Sequence, residues 1–542
     1  MRAKNDLTEA LDLKLESTAK FVGALLILFF AIVVSAQQVA PTPAPAGGAV
    51  SAKASPTPVQ SLFELQAMIR QRMDRPELRR GQIGIKIVTL NDEKVIFEEN
   101  SEKYFMPASN MKNFTVAAAL EKLTPDFRFV TSVFASKPPD ENGTIVGDLT
   151  IYGRGDISFS SHFSPGDPLK GLDDLANKIL AAGVKRIEGS IVGDDSYFRG
   201  SAIPGSWEWD DLQWYYGAEV SALSVNDNVV ELTVKPGPVG YSCSVKLSPV
   251  NPIYRVRNNC ATTPAGSQRT LKIEKLLGQN QLEITGNLPV GNSGFTGSVT
   301  VTRPAEMFAA LLKQRLEARG VFISGRFSVS ANAAAHNGAA RVEIATLESP
   351  PLSLIAAKTM KPSQNNYTET LLWTLGEFAR SRTQFPTVGP ADTPSQQDSA
   401  RLGIGEVKAF LTGIGISEDS LIQHDGSGLS RHNLITPSSV ARLYVYMAKQ
   451  SKVAQPWRDS LTIGGVDGTL ANRFKGTSAE GNIRGKTGTI NQVSALSGYL
   501  TTAGGEQLVI SFVVNGVPLT RDRTSMIDDI VVMLAKFNGE LK

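Results

Sequence analysis

Strand-forming stretches at the two ends of the chain constrain its fold most, because a long stretch of different character separates them. GQIGIKIVTLNDEKVIFEEN (81–100) predicts two strands around a polar turn. Near the other end, EGNIRGKTGTI, VSALSGYLTT and LVISFVVNG predict three more strands, and SMIDDIVVMLAKF predicts a closing amphipathic helix. A helical pattern over 61–78 precedes the first strands. Two strands early and three late, with helices at both ends, predict one α/β domain that a long insertion divides.

The insertion, 126–345, contains a repeat on either side of a β-rich middle. LDDLANKILAAGVKRIEGSIVGDDS (172–196) and AEMFAALLKQRLEARGVFISGRFSV (305–329) share an apolar helix, a glycine, a β-branched residue and a second glycine. Residues 216–297 carry strand and turn signals and almost no helix. We expect a helix-and-strand domain that an all-β domain interrupts; the alternative is one large mixed insertion.

The chain is therefore expected to divide into five parts. These are a signal peptide (1–36), a Pro/Ala-rich linker (37–57), a split α/β domain (58–125 and 346–542), an inserted mixed α/β domain (126–215 and 298–345) and a nested β-rich domain (216–297). Helical patterns that begin at residue 352 would supply the helical part of the split domain.

The predicted signal peptide rests on an uncharged apolar run, Phe21–Val34, which follows Lys20 and ends in small residues up to Ala36. The run is shorter than the roughly 20 residues that span a bilayer. The region before it is long and contains acidic residues, so an uncleaved anchor is the alternative, and membrane contact is expected only in that case. The folded protein is expected to be exported, to the periplasm or cell envelope.

Composition excludes several functional classes. The chain has 542 residues, a net charge of +3 and no basic or acidic block, so it lacks the electrostatic footprint of a nucleic-acid-binding protein. Its four histidines and two cysteines show no zinc-binding spacing. His424 and His432 are interpreted as loop residues, and no metal or organic cofactor is expected. Outside the cytoplasm, Cys243 and Cys260 can form a disulfide; two unpaired thiols are the alternative.

A serine and a lysine lie three residues apart in PASNMKNFTVAAALEKL (107–123). Ser109 and Lys112 allow two interpretations: a capped helix, because serine is a favoured N-cap residue, or a nucleophile beside its base. The same spacing recurs as STAK in the predicted signal peptide, so the motif alone decides nothing.

The chemistry of serine favours the second interpretation only if a base is available. No G-x-S-x-G elbow is present, and the histidines lie in no recognisable esterase context. A lysine kept neutral by burial or nearby positive charge can serve instead, and residues i and i+3 share one face of a helix. The helix N-terminus also favours negative charge that develops near the serine.

Such a site needs a second polar group and a cationic strand beside the nucleophile. GKTGT (485–489) lies on a predicted strand of the split domain, where Lys486 can attract a carboxylate; an edge strand with a protective lysine is the alternative. S-x-N occurs three times, and only Ser363 and Asn365 fall in the helical half of the split domain. These two residues are therefore the candidates.

In the order S-N-M-K, S-Q-N, K-T-G, these stretches resemble the signatures of penicillin-binding proteins and serine β-lactamases. The long gap from Ser109 to Ser363 is similar to that of the D-alanyl-D-alanine carboxypeptidase/endopeptidase family with inserted domains. Six longer stretches also resemble sequences of that family: GDDSYFRG, WEWDDL, SALSVNDNVVELTVKPG, HDGSGLSRHN, GGVDGTLANRF and RGKTGTINQVSALSGYL. The resemblance covers nearly all of 62–540. It implies an α/β (α+β) transpeptidase fold, an antiparallel sheet flanked by helices, with the split domain as the penicillin-binding catalytic domain.

The resemblance implies that Ser109 attacks the D-Ala-D-Ala carbonyl and becomes acylated, and that Lys112 is the general base. Ser363 and Asn365 would shuttle protons and hold the substrate amide. The middle residue of S-Q-N, where S-D-N is commoner, is expected to matter least. DGSGLS (425–430) is interpreted as part of the site wall.

The K-T-G strand is implied to bind substrate. Lys486 and Thr487 would hold the terminal carboxylate, with Gly488 beside them as a further substrate-binding residue. The backbone N–H groups of Ser109 and Thr489 would form the oxyanion hole. The substrates would be peptidoglycan stem peptides and cross-links, and β-lactam antibiotics would act as covalent inhibitors by trapping the serine.

WEWDDL suggests a further substrate contact. Asp211, or its neighbour Asp210, would lie where the inserted domain overhangs the cleft. A carboxylate there can receive the amine of a diamino-acid stem peptide through a charge-assisted hydrogen bond; a solvated loop acid is the alternative.

Three other functions compete with a peptidoglycan DD-peptidase. A β-lactamase would share the acylation step, a wall-binding scaffold would lack a working site, and an exported esterase would act on other acyl groups. The inserted domains argue against a compact antibiotic hydrolase, and the complete set of motif residues argues against the scaffold. The motifs do not separate carboxypeptidase from endopeptidase activity.

Overall fold

The computed structural model describes residues 61–331, 341–382 and 398–541. Within these ranges no helix combines the length and the apolar character needed to span a lipid bilayer. The predicted signal peptide and linker, 1–57, lie outside the described residues.

Helices occur from the beginning to the end of the described chain. They are α1 (Leu62–Met73), α2 (Lys112–Leu123), α3 (Lys170–Ala181), α4 (Pro304–Glu317), α5 (Leu352–Met360), α6 (Asn365–Arg382), α7 (Ser399–Gly413), α8 (Pro437–Lys449), α9 (Ala454–Ser460) and α10 (Thr520–Lys536). Ser61 caps α1 by accepting the backbone N–H of Glu64. The helix ends at Met73, before the predicted limit of 78, because Pro76 disfavours helical geometry in the residue before it.

Twenty-two strands lie between these helices in the described ranges. They are β1 (Gln82–Thr89), β2 (Val95–Glu99), β3 (Val130–Ala135), β4 (Thr144–Val146), β5 (Leu149–Tyr152), β6 (Arg186–Glu188), β7 (Ile191–Asp194), β8 (Val229–Lys235), β9 (Ser244–Ser248), β10 (Arg255–Thr263), β11 (Lys272–Lys275), β12 (Gln281–Pro289), β13 (Phe295–Thr300), β14 (Phe322–Ile323), β15 (Phe327–Ser330), β16 (Val342–Glu348), β17 (Leu421–Ile422), β18 (Leu434–Ile435), β19 (Thr462–Ile463), β20 (Arg484–Ile490), β21 (Val493–Thr501) and β22 (Gln507–Asn515).

One antiparallel sheet joins the two ends of the described chain. Its strand order is β19-β20-β21-β22-β1-β2. All of β1 pairs with β22, from Gln82 opposite Asn515 to Thr89 opposite Leu508. The five strands predicted at the two ends therefore share one sheet, as expected, with β19 as a short additional strand.

Alternation of side chains along β22 gives the sheet two apolar faces. Val509 and Val513 pack into a core formed with α2, α6 and α8. Ile510 and Phe512 pack into a second core formed with α1 and α10. The sheet thus lies between two helical layers, and the first layer contains the helices that carry the candidate residues Lys112 and Asn365.

The inserted stretch forms sheets of its own. β15, β7, β5, β3 and β16 make a five-stranded sheet, and β14, β6 and β4 a three-stranded one. The strands of the two predicted repeats pair with each other in parallel, β6 with β14 and β7 with β15. Helices α3 and α4, one from each repeat, share one apolar core. Each copy of the repeat therefore completes the sheets of the other.

The β-rich middle of the insertion forms two three-stranded sheets, β13-β8-β9 and β10-β12-β11. Cys243 and Cys260 form a disulfide within it. β13 and β16 run across the predicted limits at 297/298 and 345/346, and one core holds apolar residues of both the mixed and the β-rich parts. The division of the insertion into two domains stays a prediction.

Candidate active site

Ser109 lies in a 3-10 turn, Ala108–Met111, and α2 begins directly after it at Lys112. Neither the turn nor the helix has a side-chain cap at its start, so Ser109 caps neither element. Because the turn continues into the helix, the two side chains lie on one side, and Lys112 Nζ is 3.0 Å from Ser109 Oγ.

The fully buried amine of Lys112 has three oxygen neighbours. Besides Ser109 Oγ, Nζ lies 2.6 Å from Asn365 Oδ1 and 2.7 Å from the backbone carbonyl of Ser427. Three acceptors match the three hydrogens of an ammonium group. When the amine is neutral, two acceptors take its two hydrogens and the third neighbour faces the lone pair.

Burial and neighbouring charges shift the pKa of Lys112 in opposite directions. Burial lowers the pKa of Lys112 to about 7, although the nearby carboxylates of Asp425 and Glu369 raise it. A large share of the amine is therefore neutral near neutral pH, which is the state that a general base requires.

The S-Q-N segment lies between α5 and α6 and touches two lysines. Ser363 has a positive φ of 65°, and its Oγ accepts a hydrogen bond from Lys486 Nζ at 2.8 Å. Asn365, the first residue of α6, accepts from Lys112 and donates through Nδ2 to the Tyr216 carbonyl at 2.9 Å. Tyr216 belongs to the inserted stretch, so the insertion contacts the segment directly.

Lys486 lies on β20, on the other wall of the site. Besides Ser363, its amine donates to the Thr487 carbonyl at 2.9 Å. Burial, followed by the positive charge of Lys112, lowers the pKa of Lys486 well below its ordinary value. Gly488 allows β20 to approach the serine turn closely, since a Cβ there would lie 2.6 Å from the Pro107 carbonyl oxygen.

A cleft of about 530 Å³ opens above these groups. The predicted residues that line it are Ser109, Ser363, Asn365, Thr487, Thr489 and Asp211. Lys112 and Lys486 lie beneath the lining, bonded to two of its hydroxyls. All the predicted site residues therefore meet at one cleft, which can activate a serine hydroxyl with a neutral amine and offer a second lysine to an anion.

Comparison with known proteins gives the family. A sequence profile of the D-Ala-D-Ala carboxypeptidase 3 (S13) family matches residues 65–537. The chain belongs to this family. The predicted family and the predicted serine-type D-Ala-D-Ala carboxypeptidase activity are thereby confirmed.

Individual relatives cover most of this S13 protein. A D-alanyl-D-alanine carboxypeptidase of Actinomadura sp. (strain R39) is 34% identical over 493 residues, 88% of this chain and 86% of that protein. The penicillin-sensitive carboxypeptidase A of Dictyostelium discoideum is 28% identical over 468 residues, 82% of this chain and 84% of that protein.

A solved structure has the same fold. The crystal structure of penicillin binding protein 4 from Haemophilus influenzae covers 86% of this chain and 99% of its own, with a TM-score of 0.73 and 22% identity. A second structure of that protein contains a β-lactam, with a TM-score of 0.67 and 21% identity. The fold class predicted for this S13 protein is confirmed.

An acidic cluster lies at the edge of the S13 cleft. Carboxylate oxygens of Glu208, Asp210 and Asp211 lie within 4.8 Å of one another. Arg431 supplies positive charge to them, with Nη1 3.1 Å from Glu208 and 3.6 Å from Asp211. Burial is the main cause that raises the pKa of Asp211. The arginine makes this cluster an ion-pair network that a cation would have to disrupt.

Sequence reasoning missed four contacts of the site. Gln364, the middle residue of S-Q-N, lies 2.9 Å from His162 Nε2 and donates to Asp227 Oδ2 at 3.4 Å, so it joins the motif to the insertion. Ser427 of D-G-S-G-L-S reaches Lys112 through its backbone carbonyl, and Glu369 lies buried behind it. No sequence signal marks a backbone carbonyl as a lysine partner.

His424 and His432 lie between β17 and β18, in agreement with their interpretation as loop residues. Their ring centroids are 5.6 Å apart. Neither residue is in the cleft lining.

Proposed function

We propose that D-Ala-D-Ala peptides of peptidoglycan acylate Ser109 of this protein, with Lys112 as the base. The environment of Lys112 Nζ carries the proposal: it is 3.0 Å from the hydroxyl, buried, and has a pKa of about 7. The hydroxyl proton passes to Nζ while Oγ bonds to the carbonyl carbon of the penultimate D-alanine.

Collapse of the tetrahedral intermediate breaks the C–N bond and releases the terminal D-alanine. Its amine takes a proton that Lys112 relays through Ser363, with Asn365 holding the substrate amide. Water then adds to the acyl carbonyl and gives its proton to Lys112, and Ser109 Oγ leaves as a hydroxyl. Lys112 contacts Ser109 and Asn365 directly, and Ser363 Oγ accepts a hydrogen bond from Lys486 at the same cleft, which supports this arrangement.

The K-T-G strand holds the substrate in this proposal. Lys486 and Thr487 bind the terminal carboxylate, Gly488 keeps the strand close to the serine turn, and the backbone N–H groups of Ser109 and Thr489 stabilise the oxyanion. Burial favours the neutral form of Lys486, and an arriving carboxylate favours its charged form. Substrate binding thus creates the ion pair that holds it.

β-Lactams inhibit this protein by acylating the same serine. Two observations support this part of the proposal: a relative is described as penicillin-sensitive, and a protein of the same fold has been solved with a β-lactam. A pentapeptide stem and a peptide cross-link both contain a D-Ala carbonyl that Ser109 can attack. We therefore propose both activities, trimming of the pentapeptide and cleavage of the cross-link.

Export to the periplasm or cell envelope fits this function. The disulfide between Cys243 and Cys260 is typical of oxidising compartments outside the cytoplasm. The predicted signal peptide and the location of peptidoglycan outside the cytoplasmic membrane agree with it.

Asp211 recognises the amine of a diamino-acid side chain in this proposal. It lines the same cleft as Ser109 and lies beside Arg431. Asp211→Asn should lower kcat/KM for peptides carrying that amine by about 10-fold, the effect of one charge-assisted hydrogen bond. Simple ester substrates should be unaffected, and equal loss on both substrates would reject the role.

Intact-mass spectrometry with fluorescent penicillin tests the proposed function. We expect one stable adduct on the purified protein and none on Ser109→Ala. Rapid loss of the penicillin without a lasting adduct would indicate a β-lactamase. Folded protein that does not react would contradict the proposal and favour a scaffold or an esterase.

A further inference from the structure

The lone pair of Lys112 must face Ser109 for the proposed proton transfer. A neutral amine has two hydrogens and one lone pair, so two acceptors fix where the lone pair points. Asn365 Oδ1 and the Ser427 carbonyl are the two acceptors, at 2.6 and 2.7 Å. Asn365 belongs to a motif, whereas the Ser427 carbonyl is a backbone group whose position depends on its loop.

Glu369 holds that loop. It lies on α6, one turn after Asn365 and on the same face of the helix. Its Oε1 accepts the backbone N–H of Ser427 at 2.7 Å, and its Oε2 accepts that of Gly426 at 3.0 Å. One helix therefore supplies one acceptor of Lys112 directly and, through two hydrogen bonds, holds the two peptide units that precede the other acceptor.

Asp425 holds the loop together with Glu369. Its Oδ1 accepts the N–H of Gly428, which belongs to the same peptide unit as the Ser427 carbonyl, and its Oδ2 accepts hydrogen bonds from the Ser430 N–H and from Trp207 Nε1. The N–H groups of Gly426 and Ser427, in the two preceding peptide units, bond to Glu369.

Burying an acidic side chain is unfavourable unless its surroundings compensate. Glu369 is fully buried, and burial, followed by the charge of Asp425, raises its pKa. Protonated or ionised, the group presents an oxygen to each of the two N–H groups. A glutamine cannot do so, since one of its two positions carries an NH₂ donor.

We propose that Glu369 is a positioning residue for acylation, because together with Asp425 it holds the loop that carries the Ser427 carbonyl against Lys112, and so directs the lone pair at Ser109. This inference rests on the proposed function. It assigns a role in the reaction to a residue outside the three motifs.

Glu369→Gln tests the inference, with Glu377→Gln as the matched control. Glu377 lies on the same helix and is also buried, but it accepts hydrogen bonds from Arg380 and Ser399, away from the cleft. Saturation kinetics with fluorescent penicillin separate the dissociation constant of the first complex from the acylation rate constant. Thermal denaturation of both variants measures the structural cost.

We expect Glu369→Gln to lower the acylation rate constant about 10- to 100-fold with the dissociation constant unchanged, a smaller loss than the about 10²–10⁴-fold that general base catalysis itself contributes. The acylation rate constant of Glu377→Gln should stay within about threefold of the wild-type value; a tenfold change would correspond to about 1.4 kcal/mol. Glu369→Asp keeps both acceptor oxygens and should retain a higher acylation rate constant than Glu369→Gln. The aspartate variant also provides a test if the glutamine variant does not fold.

An acylation rate in Glu369→Gln equal to wild type would overturn the inference. So would equal losses in Glu369→Gln and Glu377→Gln, which would indicate a general structural cost, or equal losses in Glu369→Gln and Glu369→Asp. A wild-type protein that penicillin does not acylate would instead contradict the proposed function.

Discussion

The two walls of the cleft each contain one fully buried lysine, and the surroundings of the two differ. Lys112, on the helical wall, has Asn365 and a loop carbonyl as partners and the carboxylates of Asp425 and Glu369 nearby. Lys486, on the strand wall, donates to Ser363 and to a carbonyl of its own strand.

Burial lowers the pKa of both lysines, but neighbouring charges act in opposite directions. The carboxylates raise the pKa of Lys112 back to about 7, whereas the charge of Lys112 lowers that of Lys486 further. The first amine can exchange a proton near neutral pH, and in the proposed function the second gains a counter-charge when a substrate carboxylate arrives. Two lysines can therefore take the proposed roles of a base and an anion-binding group because their surroundings differ, although the residue type is the same.

The largest expected effect comes from the helical wall. Lys112→Met keeps the length of the side chain but removes the base, so acylation by penicillin should slow about 10²–10⁴-fold. Stopped-flow fluorescence measures the rate. Lys122→Met, in the last turn of the same helix, is the control and should react like wild type. If the acylation rate of Lys112→Met stayed within tenfold of the wild-type rate, Lys112 would not be the base, and the two buried lysines would no longer be distinguished by role.

A smaller and substrate-dependent effect is expected on the strand wall. Lys486→Met should lower kcat/KM about 10- to 100-fold for peptides with a free terminal carboxylate, since a charge-assisted hydrogen bond is worth about 1.5–3 kcal/mol. The same peptides with an amidated terminus should be much less affected, as assayed by chromatographic detection of the released residue. Equal losses on both peptides would show that Lys486 acts elsewhere in the reaction.

The smallest effect is expected at Gln364, which lies between the residues that bind the two lysines. Gln364→Ala removes the contacts to His162 and Asp227 and should slow acylation about 3- to 10-fold, the value of about one hydrogen bond. Gln455→Ala, on the exposed side of α9, is the control. An unchanged rate in Gln364→Ala would support the sequence expectation that the middle residue of S-Q-N matters least.

Local patterns predicted much of the fold. The strands at both ends, the closing helix and the repeat in the insertion follow from hydrophobic periodicity and turn residues, and all are present in the structure. The parallel pairing of β6 with β14 and β7 with β15 could not be predicted this way, because it depends on long-range contacts. Neither could the single core that the two parts of the insertion share.

The residues of the site also fall into two groups: those that lie in sequence motifs and those that only the folded chain brings to the site. Ser109, Lys112, Ser363, Asn365 and Lys486 lie in short motifs with fixed spacing, and the sequence was enough to select them. Glu369 and the Ser427 carbonyl act through the folded loop, so no spacing reveals them. Gln364 was expected to matter least of the three S-Q-N residues, which stays a prediction; its contacts to His162 and Asp227 could not be foreseen because both partners come from the insertion.

The pH dependence of the acylation rate constant shows whether Lys112 is a base with a pKa near neutrality. Because the folded pKa of Lys112 is lowered to about 7, the neutral fraction rises as pH rises through that value. We predict a rate constant that increases between about pH 5 and pH 9 with a midpoint near pH 7. A rate constant that is flat over this range, or that rises only near pH 10 as for an exposed lysine, would contradict the account.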